Sequence, residues 1–95
     1  MPKIPKTTKK ETRINPNVKS IIALLNNIND LIVVSNKRKE ASDVMKALKI
    51  YANNVNYPIP EDKISNFHAV LLDSRPITLS YILREISMDV LAKAK

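Results

Sequence analysis

The sequence predicts an all-α protein, and three observations carry that expectation. From Asn17 onward the apolar residues recur at intervals of three and four rather than two, the period of a helix with one buried face. Pro16, Pro58, Pro60 and Pro76 fall between the periodic stretches, where proline ends or starts a helix instead of breaking it. Glycine is absent, so every turn is built from Asn, Ser, Asp or Pro. The expected architecture is a small four-helix, bundle-like domain over residues 17–95, preceded by a flexible basic arm over residues 1–16. The protein is expected to be dimeric, because a core from about 80 residues buries only about 60% of the unfolded chain's surface and self-association would add to it.

The arm holds Pro2, Pro5 and Pro16 among threonines and cations, a composition that cannot bury a core. The first helix is predicted from Asn17, placed to cap after Pro16, to about Ser35. A second is predicted from Lys37–Lys39 to Asn53–Asn56, where asparagine suits a left-handed stop. Tyr57-Pro58-Ile59-Pro60 reads as a rigid linker, since the residue before a proline is held extended. A third helix is expected from Pro60 or Glu61 to Asp73–Ser74, its acidic first turn matching the dipole. The fourth runs from Arg75–Pro76 to Ala92 or Lys93.

Wheel positions give each helix a face. The first carries an apolar arc of about 200°, from Val18, Ile21, Ile22, Leu24, Leu25, Ile28, Ile32 and Val33, about twice the usual buried stripe. Such a helix either sits centrally in its bundle or meets a second partner. Asn29 lies within this arc, where one buried asparagine can fix the register of a dimer and an arc-edge asparagine simply reaches water. The fourth helix carries a core stripe, Leu79, Ile82, Leu83, Ile86 and Val90. Nearly opposite lies a second apolar set, Ile77, Tyr81, Met88 and Leu91. Asn29 and this second set are the expected dimer interface.

The second helix buries Ala41, Val44, Met45, Ala47, Leu48, Tyr51, Ala52 and Val55. It turns Lys39, Ser42, Lys46, Lys49 and Asn53 outward in one ridge, continued at its start by Lys37 and Arg38. Cations and short donors along one helix face are what a phosphate backbone requires, although Asp43 stands at pairing distance from Lys39 and Lys46. The formal charge is +7, and it is unevenly placed. Residues 1–20 hold Lys3, Lys6, Lys9, Lys10, Arg13 and Lys19 against Glu11 alone, whereas residues 61–90 are acid-rich. The first half of the chain is therefore the expected polyanion contact, with Lys9, Lys10 and Arg13 in the arm joining the ridge.

Several classes are excluded or disfavoured. Without glycine no phosphate-cradling loop can form, and without cysteine there is neither a disulfide nor a thiolate metal site. His68 is the only histidine, and its helix offers only Ser65 and Asp73 nearby, too few groups for a metal or a catalytic dyad. No apolar run exceeds five residues, far short of the roughly 20 of a spanning helix. The expectation is thus a non-enzymatic protein with no cofactor, no metal and no membrane role, intracellular (cytoplasmic or nuclear) and not secreted. A helix-turn-helix pattern opening at His68 finds Leu72, Leu79 and Ile82 at apolar positions, but Asp73 stands where glycine belongs and Pro76 follows the turn. Few aromatics are available for stacking on single strands. Abundant Ile, Asn and Lys, the bias of an AT-rich genome, is a weak pointer to a virus, phage, plasmid or AT-rich microbe. The leading expectation is a homodimer that binds the phosphate backbone of a nucleic-acid duplex, RNA or DNA, with low sequence specificity. The alternative is a protein-interaction, adaptor or assembly module that docks partners on its second apolar helix faces.

Overall fold

The structure, a computed structural model, describes residues 15–94. The arm expected over 1–16 lies outside the described residues except for Asn15 and Pro16, and so do Lys9, Lys10 and Arg13. Among the described residues the chain is all-helical, with four helices: α1 (Pro16–Val33), α2 (Arg38–Asn54), α3 (Glu61–Val70) and α4 (Pro76–Lys93).

The helix ends follow local chemistry. Pro16 is the first residue of α1, a position that needs no N–H and suits its fixed φ, so the cap is Asn15 and not Asn17. The Asn15 side-chain oxygen accepts from the Asn17 N–H at 2.7 Å. Two asparagines then do what glycine does elsewhere. Asn36 (φ 53°) and Asn56 (φ 68°) adopt the left-handed conformation after α1 and α2. Beyond each, the chain turns back: the Lys37 N–H reaches the Leu31 carbonyl at 2.7 Å, and the Tyr57 N–H reaches that of Ala52 at 3.0 Å. The third helix is shorter than its apolar pattern suggests, stopping at Val70 with a turn over residues 71–73. Pro76 explains the shortening, because it forces Arg75 to be extended (ψ 156°) and the chain must leave helical geometry ahead of it.

Successive helices are antiparallel. The Tyr51 hydroxyl donates to the Asn17 side-chain oxygen at 3.2 Å, which sets the end of α2 beside the start of α1. Lys49 pairs with Glu61 at 2.5 Å, linking the end of α2 to the start of α3. Lys63 near the start of α3 meets Glu85 and Asp89 in the second half of α4. Finally Ser80 donates to Asn29 at 2.6 Å, closing α4 back onto α1. Each helix touches its two neighbours in this ring and not the one across it.

The core runs down the middle of the ring. Val18, Ile21, Leu25, Ile28 and Ile32 of α1 meet Ala41, Met45, Leu48 and Ala52 of α2, Ile64 and Phe67 of α3, and Leu79, Leu83, Ile86 and Val90 of α4. Ile59, locked between two prolines, is also buried, so the linker is pinned to the core rather than looped over it. The broad arc of α1 is now accounted for. Its centre is buried, and Ile22, Leu24 and Leu31 on its flanks are half-buried against the core, as a helix with two neighbours requires. Val33 lies beyond that flank and is exposed.

Candidate functional site

The outward side of α2 keeps only part of its expected ridge free. Lys39 and Lys46 are exposed and make no ion pair among the described residues. Lys37, just ahead of the helix, and Asn53, near its end, are exposed as well. Lys49 is committed to Glu61, and Ser42 is half-buried beside α3. Arg38 has a structural task. Its Nη1 donates to the carbonyls of Leu71 at 2.6 Å and Ser74 at 2.7 Å, and its Nε donates to the Asn36 side-chain oxygen at 3.2 Å. Those carbonyls belong to the unwound end of α3, where a helix leaves acceptors without intrahelical donors. Cationic donors there are charge-assisted and favoured by the dipole.

The antiparallel ring sets Asn15 and the cations at the start of α2 at opposite ends of the molecule. Asn15 lies at the end of the molecule that holds Tyr51 and Asn53. Lys37, Arg38 and Lys39 occupy the opposite end, one helix length away. For the 17 residues of α2 that is about 25 Å.

The outward side of α4 is apolar. Ile77, Tyr81 and Met88 are 64%, 63% and 61% exposed, and Leu91 on the same side is 36% exposed. Their spacing returns every seven residues, so they form one stripe directly opposite the buried face of the helix. Arg84 stands at its midpoint, exposed and without an ion pair among the described residues. A hollow of about 490 Å³ flanks the stripe where α4 meets the end of α1, lined by Val33, Pro76, Ile77, Ser80, Tyr81 and Arg84. A second, of about 330 Å³, continues it along the α1–α4 seam beside Asn29, Arg84 and Met88. Asn29 is half-buried at that seam and spends its side-chain oxygen on Ser80 within the monomer.

On the far side of α4, Lys63 lies 3.5 Å from Glu85 and 3.4 Å from Asp89. Desolvation draws its pKa down, but hydrogen bonds and charge from Asp89, and then Glu85, outweigh it, and the ammonium is held above its ordinary value. A third hollow, of about 680 Å³, lies between α2 and α3 and is bordered by Lys46, Lys49, Glu61 and His68. His68 is half-buried with Nδ1 3.1 Å from the Ile64 carbonyl and Nε2 3.5 Å from that of Ser42. Its ring also meets Phe67 edge-on. Among the described residues no three acidic, histidine or cysteine side chains gather where a metal could bind. No described helix is long and apolar enough to cross a membrane.

Sequence reasoning named the four apolar residues of the α4 stripe and missed three features. These are the Arg38 clasp, the Ser80–Asn29 bond and the hollow beside Val33. Only the clasp left a signal, an arginine at a helix start facing an end that Pro76 prevents from continuing. Comparison with family models, curated proteins and solved structures finds no match for this chain.

Proposed function

We propose that this chain is a non-enzymatic assembly or adaptor module that docks another protein against the outward face of α4. One observation supports this reading above the others: three large apolar side chains, each more than 60% exposed, share one helix face beside a ready-made hollow. Scattered exposed apolar residues are ordinary, whereas a contiguous patch marks an interaction surface. Tyrosine and methionine are among the residues enriched at such surfaces, and Arg84 at the centre fits the usual anchor set. The test is a Tyr81→Asp, Met88→Asp double variant, compared with the unaltered chain for the proteins recovered with each from the cells that make it. Both sites are exposed, so circular dichroism should be unchanged while partner recovery is lost. Equal recovery would remove the α4 face from the account.

A second reading, attachment to the phosphate backbone of a nucleic-acid duplex, is favoured by the charge distribution. Cations dominate residues 1–20, and Lys37, Lys39 and Lys46 extend that charge onto the helical domain. The contact set on this reading is Lys9, Lys10, Arg13, Lys37, Lys39 and Lys46, with Ser42, Lys49 and Asn53 secondary and Arg38 engaged elsewhere. Duplex suits it better than single strand, because Phe67 is buried, Tyr51 and Tyr57 are half-buried and the exposed Tyr81 lies on α4, away from the α2 cations, which leaves little for base stacking beside them. The readings are compatible, since they use different faces.

A further inference from the structure

We infer that the partner presents an acidic amphipathic helix, which lies along the seam between α1 and α4 with apolar side chains in the two hollows and a carboxylate on Arg84. The inference rests on the reading of the α4 face as a protein-contact surface and names the chemistry of its occupant.

Shape limits what can lie there. Ser80 and Arg84 line both hollows, so the two make one groove along the seam. On α4 it runs from Pro76 to Met88, about 18 Å or roughly three turns of helix. Val33, Ile77 and Tyr81 wall one end, and Ile22 and Met88 wall the other. Any occupant must keep its backbone N–H and C=O groups satisfied. The described residues form helices and no strand, so they offer an extended peptide no sheet edge to pair with. Ser80, in the middle of the groove, already donates to Asn29. A helix satisfies its own backbone and brings apolar side chains to one face at steps of three and four.

Charge gives the occupant its sign. Arg84 is the one charged residue among those lining the two hollows. It is exposed and has no ion pair among the described residues. Arg75, exposed and likewise without an ion pair among them, stands just ahead of the end at Pro76. The neighbouring acids do not answer these cations. Asp30 and Asp73 stand outside both linings, and Glu85 is engaged by Lys63 at 3.5 Å. An apolar groove with an unpaired guanidinium midway and another at its end is complementary to apolar side chains flanked by carboxylates. The guanidinium fork binds a carboxylate through two parallel hydrogen bonds, and a basic segment would be repelled at both places.

Selection on the full chain from a library of random peptides of about 16 residues, some four turns of helix, tests this. Peptides held by the unaltered chain and lost by Tyr81→Asp with Met88→Asp are those that use the groove. They should share apolar residues at steps of three and four, with Asp or Glu within a turn of them, and should gain helical circular dichroism on binding. Arg84→Glu should weaken them by about tenfold or more, and replacing the peptide's acid with lysine should recover part of that loss. Arg84 is exposed, so the variant's own circular dichroism should not change. Groove peptides that are basic, rich in proline or indifferent to Arg84→Glu would overturn the proposal, as would finding none. A chain that dimerises in sedimentation equilibrium and loses the dimer with Tyr81→Asp and Met88→Asp would give the groove to a second copy, and would overturn it too. If Tyr81→Asp with Met88→Asp loses a cellular protein that Arg84→Glu retains, the docking reading stands and the acidic helix falls.

Discussion

Arg38 shows how one side chain can be misread from its company. It stands between two lysines at the start of a cationic helix, yet its guanidinium binds the Leu71 and Ser74 carbonyls. A planar fork of donors matches two converging carbonyls in a way a lysine ammonium does not. Hydrogen bonds from charged donors contribute about 1.5–3 kcal/mol each, reduced here by partial exposure. Arg38→Ala should therefore lower stability by about 2 kcal/mol, seen as a lower urea midpoint in chemical unfolding. Arg38→Lys should recover only part of that loss. On the duplex-binding reading, affinity for nucleic acid should change little in either variant. An arginine used mainly for phosphate would give the reverse pattern, with stability intact and affinity reduced. Lys39 and Lys46, which touch no carboxylate among the described residues, are the residues expected to behave that way.

At the scale of the helix, most of the fold was legible because its rules are local. The period of the apolar residues, the prolines and the asparagine stops placed α1, α2 and α4 to within about two residues, the ordinary uncertainty of helix ends. All five core residues expected of α4 are buried. The end of α3 was not legible: Val70, Leu71 and Leu72 continue an apolar pattern that the chain does not follow. Leu71 enters the core while Leu72 is 75% exposed, a division set by the turn that Pro76 imposes. Exposed Leu72 also settles the helix-turn-helix comparison, which required an apolar core residue there. The candidate site was legible in part for a related reason. A stripe opposite the core face is visible on a helical wheel, but a hydrogen bond between residues 51 positions apart, Ser80 to Asn29, leaves no local trace. Asn29, whose place in the apolar arc suits a register-fixing residue, spends its side-chain oxygen on Ser80 within the monomer.

Across the whole molecule, the antiparallel ring distributes the charge more widely than the sequence order implies. Asn15 stands at one end and Lys37 and Lys39 at the other, Glu61 faces Lys49 of α2, and Glu85 and Asp89 of α4 lie on the side held by Lys63. A phosphate-binding role thus divides into separable contributions. If Lys39 and Lys46 each neutralise one phosphate, replacing both with glutamate should lower the slope of log affinity against log salt by about 2. Titration of a labelled duplex across a salt series measures it. An unchanged slope would confine any duplex contact to residues outside the α2 face.

The ring also bears on how quickly the chain finds its structure. Three of its four helix contacts join sequence neighbours across short turns, so little loop-closure entropy opposes them. Only the meeting of α1 with α4 brings distant segments together. Proteins dominated by local contacts fold in microseconds to milliseconds, and here the Ser80–Asn29 seam would be the last to form. Stopped-flow refolding of a Ser80→Ala variant reads this as faster unfolding with an almost unaltered folding rate; a matching slowdown in folding would place the seam in the nucleus instead.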